Sequence, residues 1–486
     1  MLQTNPPFPV YSDIDGQPLD GGYIYIGVAG QNPKTNPIAI YWDSQGTIPA
    51  AQPIRTINGY ASRQGTPAKL YTATDYSVAI YDKKGSIVFS SPSAGALDLV
   101  DWVSSGVIAT LAQTTGATLI GWIRDAAGAV ARWVSDKLSE NVSILDFGAD
   151  PTGGTDSTDA VNKALATGKR VYAPSGIYLI DPDIGIKLKP GSVLYGDGLM
   201  RTIFKAMPKG ATLSQLAGYE KGSIIKRDDF TIGVANQYCT GIYLADFAVL
   251  LNHPSYNVNN YRQIGVDLRN ITRSVVERVS SGNITIPGSI VDVNPGNPNY
   301  LQGYGFVVGT RGSSDVEYCG GEVNTIRDCF GWGCFKNLVI DDAQVCGAAS
   351  AAHATLVDNF DAQAGHELVT QVSAYNAGTI IKNLVIQQTL TQPGNANSTV
   401  GALVSGYGCY LHVKYAEMGN DCDVMFGFSS TSKDNFGEIS YFSYTSPSTG
   451  QIYDGGRRNR LSYQNPLDLG GGAYTNDGRY GEHFDA

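Results

Sequence analysis

Two segments of almost the same sequence constrain the fold of this 486-residue chain more than any other feature. Residues 335–340 read FKNLVI and residues 381–386 read IKNLVI, 46 positions later. A looser pair, VERV at 276–279 and IRDC at 326–329, repeats after 50 positions. Each interval fits two coils of about 23 to 25 residues, a usual size for solenoid repeats. The sequence therefore predicts stacked β-coils from residue 181 to about residue 455.

In a coil of this kind, alternate residues of a strand face the lumen. We expect Leu384 and Ile386 to point inward, and Val385 and Gln387 to point outward. Self-similar coils also argue against a TIM barrel or a Rossmann fold, whose strands alternate with long helices.

Asp328, an acidic residue in the looser pair, is better interpreted as structural than as catalytic. Asp328 occupies a repeat position that it shares with Asn337 and Asn383. Asp and Asn favour turns, so we interpret Asp328 as a turn or ladder residue.

The composition suits a long β structure with many turns. Gly occurs 58 times and Tyr 29 times, while only 16% of the residues are charged. The net charge of −10 argues against nucleic-acid binding, which needs a basic surface. The first residues lack the regions of a signal peptide, and no stretch of 18 apolar residues occurs, so no membrane span is predicted.

The seven cysteines are odd in number and irregularly spaced. We interpret them as reduced, mostly buried thiols of a protein that is assembled in a cytoplasm. No HExxH sequence and no Cys/His cluster is present, so the sequence predicts no metal and no cofactor.

Residues 1 to about 97 read as short strands separated by turns, which indicates a small all-β domain. The predicted strands are residues 23–26, 38–42, 77–81 and 86–89. The last two flank the turn Asp82–Lys83–Lys84–Gly85 and are expected to form a hairpin.

Residues 21–91 resemble the head-binding domain of tailspikes from short-tailed phages of enteric bacteria. The shared features are the YIYIG strand, an N-P pair after it, a QPI…NGY turn and the final YSVAIYDKKGS hairpin. The resemblance implies trimeric attachment to a virion through portal, tail or adaptor proteins. Such a protein would be assembled in the host cytoplasm and would act extracellularly, at the bacterial surface.

Residues 98–140 change to helical spacing. Val103, Val107 and Leu111 recur at helical intervals, and a second apolar set does so from Ala126 to Leu138. Neither segment is long enough for a stable isolated helix. We predict a short helical neck of a homotrimer, with helices packed on their own chain as the alternative.

Residues 142–150 read as a strand that ends in a turn, and a helix follows it. Asp156 is the expected N-cap, Asp159 stands at the capping-box position and Gly168 ends the helix. Capping explains these acidic residues better than a calcium loop, because EF-hand spacing is absent. The apolar face of the helix consists of Ala160, Val161, Ala164 and Leu165.

The run DFGAD…TDSTDAVNKAL…GKRVYAPSGIYLI resembles the first rung and capping helix of pectate-lyase-like β-helices, especially those of phage tailspikes. The predicted architecture is an all-β homotrimer. It has a small N-terminal β-domain (1–97), a short helical neck (98–140), a right-handed parallel β-helix (141–455) and a C-terminal tail in trimer contacts (456–486).

The resemblance implies a bacterial surface polysaccharide as partner, with O-antigen, capsule and exopolysaccharide all open. Tailspikes of this type are often endoglycosidases, so we expect a polysaccharide depolymerase. A lyase is not excluded, and a non-catalytic adhesin or a branching platform for other fibres is the alternative function.

Hydrolysis of a glycosidic bond needs two carboxyl groups, and residues 315–367 are rich in acidic side chains. Glu322 precedes Asp358 and Asp361, which resembles an enteric tailspike pattern of one Glu followed, about 35 residues on, by two Asp three apart. These three residues are the first candidates for the acid and the base.

Asp341 and Glu367 are the next candidates, because they are 26 positions apart, which is roughly the length of one coil. If both point outward at equivalent positions, their carboxyl groups would lie about 5 Å apart, as in a retaining pair. Two intervening coils would place them nearer 10 Å, as in inverting enzymes.

Overall fold

The computed structural model folds into two compact units, residues 1–137 and residues 138–486. The described residues are 2–3, 10–94, 108–207, 222–228, 239–251, 263–282, 284–285, 289–290, 303–310, 320–342, 345–346, 352–371, 376–389, 399–418, 422–444, 451–463, 474–476 and 482–485.

The two larger sheets described in the first unit are antiparallel. In spatial order, the four-stranded sheet consists of Leu2–Gln3, Tyr71–Thr72, Ile40–Tyr41 and Pro49–Ala50. The six-stranded sheet consists of Ile87–Ala94, Tyr76–Tyr81, Tyr23–Val28, Ile54–Ile57, Tyr60–Arg63 and Thr66–Pro67.

The predicted hairpin is confirmed, since Tyr76–Tyr81 pairs antiparallel with Ile87–Ala94. The predicted strand 38–42 is shorter than expected and comprises only Ile40–Tyr41. Its first part leaves the sheet because the Ile38 amide donates to the Ile26 carbonyl of the other sheet at 3.2 Å.

The end of the first unit is less helical than the sequence predicts. The helical pieces described there are Ile108–Leu111, the 3₁₀ turn Gly116–Thr118 and Val134–Leu138. Gly121–Trp122 and Arg132–Trp133 form a two-stranded sheet, and Gly128, at φ 79°, interrupts the predicted second helix. Val103 and Val107 lie outside the described residues.

The second unit is a parallel β-helix with three sides. Each coil passes from side A, around a corner, to side B and then to side C, and every side pairs in parallel with the same side of the next coil. Parallel connections are right-handed in nearly all cases, so we expect this hand here.

Sides A and B belong to one 18-stranded sheet. The side A strands are Asn141–Ser143, Arg170–Tyr172, Val193–Tyr195, Thr325–Arg327, Leu356–Asp358, Phe436–Ile439, Arg460–Tyr463 and Glu482–Asp485. The side B strands are Thr152–Asp156, Gly176–Ile180, Thr202–Ala206, Phe330–Trp332, Asp361–Gly365 and Phe442–Tyr444. Strands that continue around the corner are Tyr243–Leu250, Val275–Gly282, Ile380–Thr389 and Tyr410–Met418.

Side C is a separate ten-stranded parallel sheet. Its strands are Ile186–Leu188, Ser223–Arg227, Ile264–Arg269, Tyr304–Gly309, Lys336–Ile340, Glu367–Gln371, Val400–Val404, Val424–Phe428, Gln451–Asp454 and Tyr474–Asn476. Two short pairs accompany the coils: Cys239–Thr240 with Ile271–Thr272, and Ile284–Thr285 with Ser289–Ile290.

One continuous apolar core fills the lumen from Ile144 to Leu461. The predicted orientation is confirmed, because Leu384 and Ile386 are fully buried whereas Val385 and Gln387 are partly exposed. Pairing continues past residue 455, where the sequence placed the end of the β-helix.

The two near-copies do not stack on each other, contrary to the interpretation of the 46-residue interval. Lys336–Ile340 lies on side C, whereas Ile380–Thr389 lies on sides A and B. Val276 and Ile326 are direct register partners, so their 50-residue interval is one coil and not two. The coil length varies because segments of different length connect the sides.

Backbone turns of positive φ form ladders along two corners. The corner between sides A and B contains Asp246, Arg278, Asp328, Asn359 and Asn383. The corner before side A contains Gly191, Gly241, Arg273, Val323, Ala354, Gly378, Gly408, Asp434 and Arg458. The turn or ladder role predicted for Asp328 is thus confirmed, and Asn383 lies in the same ladder. Asn337 is different, since it is buried on side C and donates to the Gly331 and Gln363 carbonyls.

The helix Thr158–Ala166 covers the first end of the lumen, as predicted, with Ala160, Val161, Ala164 and Leu165 buried. Its N-cap is Ser157 rather than Asp156, although Asp156 accepts from the Thr158 amide at 2.9 Å. Ahead of the helix come the strand Asn141–Ser143 and the 3₁₀ helix Ile144–Phe147.

The described cysteines are Cys239, Cys329, Cys334, Cys346, Cys409 and Cys422, and each is a buried free thiol. Within the described ranges, no helix is both long and apolar enough to cross a bilayer.

Candidate carbohydrate-binding face on side B

The outer surface of side A carries a column of charged side chains whose charges compensate one another. Its first four members, Glu277, Arg327, Asp358 and Lys382, are register partners from coil to coil, and it continues on the next coils with the register partners His412 and Glu438. We call it the charged column. Signs alternate between adjacent coils over its first four members, so each charge lies beside an opposite one.

Glu277 is the most buried member, with 5% of its side chain exposed. Burial opposes ionisation of Glu277, but hydrogen bonds from Tyr243, Arg327 and Arg278 outweigh it and lower the pKa to about 2. The Arg278 Nη1 to Oε1 distance is 2.8 Å. Glu277 therefore acts as a permanently charged structural anchor.

Asp358, one of the sequence candidates, belongs to the same column. Its Oδ2 lies 2.9 Å from Lys382 Nζ, and its Oδ1 accepts from Asn383 Nδ2 at 2.8 Å. Burial raises the pKa of Asp358, but the bonds from Asn383 and Lys382 lower it further, so the net shift is downward.

The arrangement assumed for Asp341 and Glu367 is wrong. The register partner of Glu367 is Lys336, whose Nζ lies 2.7 Å from Glu367 Oε2 in a buried cluster that includes Asp342. Asp341 is fully buried at the end of the Lys336–Ile340 strand and accepts from the Ala352 amide and Asn376 Nδ2. The two carboxyl groups are not outward-facing neighbours, because the coil here has 31 residues.

Glu322 lies away from the other two first candidates. It precedes Val323 in the corner before side A, and its carbonyl accepts from the Arg273 amide at 3.0 Å. Arg327, at the far end of that strand, is the register partner of Asp358. Asp358 and Asp361 do come close together in the fold, on opposite sides of the corner formed by Asn359.

In the coils from Phe330 onward, the outer surface of side B differs from side A, because aromatic and amide side chains dominate it. Two columns of register partners alternate with the buried residues. The first column consists of Phe330, Asp361, Val385, Tyr415 and, stacked on it, Tyr441. The second consists of Trp332, Gln363, Gln387 and Glu417. We call this surface the aromatic face.

Rings stand at both ends of the aromatic face. Phe330 and Trp332 meet edge to face with centroids 5.3 Å apart, and Tyr415 stacks on Tyr441 at 5.2 Å with an interplanar angle of 8°. The indole Nε1 of Trp332 is shielded from solvent and has no hydrogen-bond partner among the described residues. Tyr441 is 53% exposed and available to a ligand.

Two carboxyl groups lie between these rings. Burial raises the pKa of Asp361, and the bonds from Gln363 Nε2 to both carboxyl oxygens, each 2.9 Å, only partly offset this. Glu417 accepts from Gln387 Nε2 and from the Tyr415 hydroxyl, each at 3.1 Å.

Each of the carboxyl groups of Asp361 and Glu417 contacts a residue of the other's column. Asp361 contacts Gln363, which belongs to the column of Glu417, and Glu417 contacts Tyr415, which belongs to the column of Asp361. The residues are separated by two coils, or about 10 Å along the helix axis. This axial spacing of the two strands is slightly longer than the roughly 6.5–9.5 Å between the carboxyl groups of inverting glycosidases.

Sequence reasoning found Asp361 but missed Glu417 and the rings. Alternation within single strands could have indicated them, because Phe330 and Trp332, like Tyr415 and Glu417, are two positions apart and share a strand face. Nothing in the sequence shows that these strands are stacked coils of one face.

Known proteins resemble parts of the chain. Residues 141–272 match the family of rhamnogalacturonase A/epimerase, pectate lyase-like proteins. The tail spike protein of Shigella phage Sf6 is 31% identical over 192 residues, which cover 35% of this chain and 31% of that protein. A tail spike protein of an Escherichia phage is 42% identical over 74 residues, which cover 15% of this chain and 9% of that protein. The alignments thus span about a third or less of these relatives.

Among solved structures, the tailspike of Acinetobacter phage vb_AbaP_AS12 aligns over 70% of this chain and 61% of that chain, with a TM-score of 0.45 and 10% identity. The sequence relatives named tail spike protein, together with the pectate-lyase-like match, confirm that this chain resembles phage tail spike proteins.

Proposed function

We propose that this chain is a phage tailspike whose aromatic face binds a bacterial surface polysaccharide and hydrolyses it, with Asp361 as general acid and Glu417 as general base. The observation that carries the proposal is the position of two carboxyl groups among partly exposed rings and the exposed ring of Tyr441, on one side of the β-helix. The resemblance to tail spike proteins supports the choice of ligand.

The composition of the aromatic face suits a sugar chain. Aromatic rings offer flat apolar surfaces to the C–H faces of pyranose rings, while amides and carboxylates bond to hydroxyl groups. The column spacing of about 4.8 Å is similar to the length of one sugar unit, so a glycan that runs along the helix axis meets a new coil at each residue.

The electrostatic setting of Asp361 suits the role of the acid. A general acid must hold its proton near working pH, and burial favours this for Asp361. Asp361 gives that proton to the glycosidic oxygen as the bond to the anomeric carbon breaks. Glu417 takes a proton from the water that attacks the anomeric carbon from the opposite face, which inverts its configuration.

The N-terminal part of the chain, residues 1–140, is the proposed region for attachment to the virion and for assembly of the trimer. We propose that residues 1–97 bind the virion and that the chain is a homotrimer with residues 98–140 as its neck. The described part of this neck exposes large apolar side chains, which favours burial against other subunits. Examples are Leu119 at 52%, Ile123 at 59%, Val130 at 75%, Trp133 at 52% and Leu138 at 66%. Light scattering on the purified chain tests this and should give three times the 51.7 kDa chain mass.

The enzymatic proposal is tested with purified full-length chain on bacterial lawns of strains that differ in capsule and O-antigen. A halo without plaques on a susceptible strain is expected, and NMR of the first product should show an inverted anomer. Asp361→Asn should abolish the halo. Its matched control is Asp358→Asn, which also removes one carboxylate charge, but on side A, and should leave the halo intact.

Binding to cells without any halo or soluble oligosaccharide would overturn the hydrolase and favour a non-catalytic adhesin. Unsaturated products, detected by new ultraviolet absorption, would show that the chain cleaves the polysaccharide as a lyase and not as a hydrolase.

A further inference from the structure

The side chain of Gln363 lies next to Asp361 on the aromatic face and makes a defined contact with it. The two residues are two positions apart in the strand Asp361–Gly365, so their side chains share its outward face. The amide nitrogen Nε2 of Gln363 donates to both carboxyl oxygens of Asp361, each at 2.9 Å. Two bonds to one carboxyl group fix its plane as well as its position.

This amide is the only hydrogen-bond donor to the Asp361 carboxyl group within the described residues. The register partners of Asp361 on the adjacent coils are Phe330 and Val385, whose apolar side chains have no donor to offer. The orientation of the carboxyl group therefore depends on Gln363.

The strand position of Gln363 is itself held from behind. Its carbonyl accepts from Asn337 Nδ2 at 2.8 Å and from the Gly333 amide at 3.2 Å. The fully buried Asn337 also donates to the Gly331 carbonyl at 2.9 Å, so it ties together two coils of the aromatic face. These bonds fix the point from which the amide reaches Asp361 before any ligand binds.

Charged groups surround Asp361 at a greater remove. Those on the elements around it are Arg327 and Asp328 on the preceding coil, Asp358 on its own coil, Lys382 on the next, Lys414 and Glu417 one coil further, and the Lys336–Glu367 pair on side C. Arg327, Asp358 and Lys382 compensate one another within the charged column of side A. The polar group in direct contact with Asp361 is a neutral amide.

The contact suits a group that gives up a proton. As the Asp361 proton passes to the glycosidic oxygen and the bond to the anomeric carbon breaks, the electron pair of the O–H bond stays on the carboxyl group. Hydrogen bonds to a charged acceptor are stronger than those to a neutral one, so the Gln363 amide binds the new carboxylate more tightly than the acid. Stabilisation that grows during a reaction step lowers its barrier.

We propose that Gln363 is a positioning residue of the cleavage reaction, which orients the acid Asp361 and stabilises the carboxylate that proton transfer creates. A cation at position 363 would ionise Asp361 before the reaction, and an apolar residue would leave its carboxyl group without a donor. A neutral amide avoids both. This inference rests on the proposed function and deepens it, because it names the group that controls the acid.

The test compares pH profiles of kcat for full-length wild type, Gln363→Met and Gln363→Arg. The substrate is polysaccharide purified from a strain on which the wild type forms a halo. A general acid loses activity as the pH rises through its pKa, so the basic limb of the profile reports Asp361.

The two variants should move this limb in opposite directions. Gln363→Met removes bonds that lower the pKa of Asp361, so the limb should move to higher pH, and kcat at the optimum should fall about tenfold or more. Gln363→Arg places a cation beside the carboxyl group, which lowers its pKa, so the limb should move to lower pH.

The matched control is Gln45→Met, which removes an exposed amide from the first unit and should leave the profile unchanged. The inference is overturned if Gln363→Met and Gln363→Arg move the limb in the same direction, as general damage to the fold would, or if neither moves it. Should Gln363→Met fail to fold, Gln363→Arg decides alone, and an unmoved limb overturns the inference.

A measurement without cleavage separates this inference from the proposed function. Infrared difference spectra between each chain and the same chain with Asp361→Asn isolate the carboxyl band of Asp361 and give the pH at which it ionises. Opposite shifts of that pH in a chain that forms no halo would contradict the hydrolase and keep the control of Asp361 by Gln363. A halo-forming chain without these shifts would do the reverse.

Discussion

Sides A and B of the β-helix both carry outward-facing carboxyl groups, yet in opposite electrostatic settings. In the charged column of side A, hydrogen bonds from a neutral donor (Tyr243 to Glu277, Asn383 to Asp358) and then from neighbouring cations lower the pKa of both carboxyl groups. On the aromatic face of side B, Asp361 accepts from the side-chain amide of Gln363, and burial raises its pKa. Charge compensation makes side A a structural element, whereas a buried carboxyl group beside a neutral amide suits side B to proton transfer.

The largest effect is expected from Asp361→Asn. The amide has no proton to give to the leaving oxygen, so kcat for polysaccharide cleavage should fall roughly 10²- to 10⁴-fold. The measurement is reducing-end release by purified protein. Asp358→Asn, three positions away on side A, should retain activity within about tenfold. Equal losses in the two variants would abolish the distinction between the sides.

Glu277→Gln should show the opposite behaviour, with activity largely kept and stability reduced. Holding the pKa at about 2 instead of 4.5 corresponds to about 3 kcal/mol of folding free energy at neutral pH. Because the folded-state pKa is lowered, this contribution is complete above about pH 5 and is lost as the pH falls towards 2. Thermal unfolding between pH 3 and pH 7 should show the difference between wild type and variant shrinking at low pH.

The control for that experiment is Glu438→Gln in the same column. Glu438 accepts one bond from Tyr410, at 3.3 Å, and is only partly buried. Loss of the Glu438 carboxylate should change the melting temperature little. A drop as large as that of Glu277→Gln would contradict the structural role assigned to Glu277.

Tyr441→Ala probes the rings of the aromatic face. Removing the exposed member of the Tyr415 stack should weaken polysaccharide binding roughly threefold to tenfold, mostly as a higher KM. Tyr195→Ala removes a similar member of a stacked tyrosine pair on side A, with Tyr172 at 5.4 Å. If Tyr441→Ala leaves the affinity for the polysaccharide unchanged, or if Tyr195→Ala lowers it equally, side B is not the binding surface.

The smallest effect concerns the stability of Asp361→Asn. Because the folded-state pKa of Asp361 is raised, its ionised form opposes folding above that pKa, and the penalty disappears below its unfolded value near 3.8. The variant should therefore be more stable than wild type at pH 7 and equal to it near pH 3. Urea unfolding at both pH values measures this, and a destabilised variant at pH 7 would point to a structural role.

Local patterns in the sequence predicted much of the fold. Alternation placed Leu384 and Ile386 in the lumen, and turn residues located the hairpin Tyr76–Tyr81 with Ile87–Ala94. The capping helix was predicted with its buried face, although its N-cap was displaced by one residue. Such features depend on neighbours within a few positions, so the order of residues is enough to determine them.

The candidate site was predicted only in part. Asp361 was among the sequence candidates, but Asp341 and Glu367 proved to be buried, and Glu322 lies at another corner. Glu417 was missed, since 56 positions separate it from Asp361 and no local pattern connects them.

The sequence by itself determined that this chain forms β-coils, where the first coil is capped and which residues of a strand face the lumen. The tertiary structure decided which coils are neighbours and which side of the β-helix each carboxyl group occupies. The physical reason is that strand periodicity is fixed by the backbone, whereas the connecting segments vary freely in length. Successive partners such as Val276 and Ile326, or Asp358 and Lys382, are 50 and 24 positions apart, and only the stacked coils bring them together.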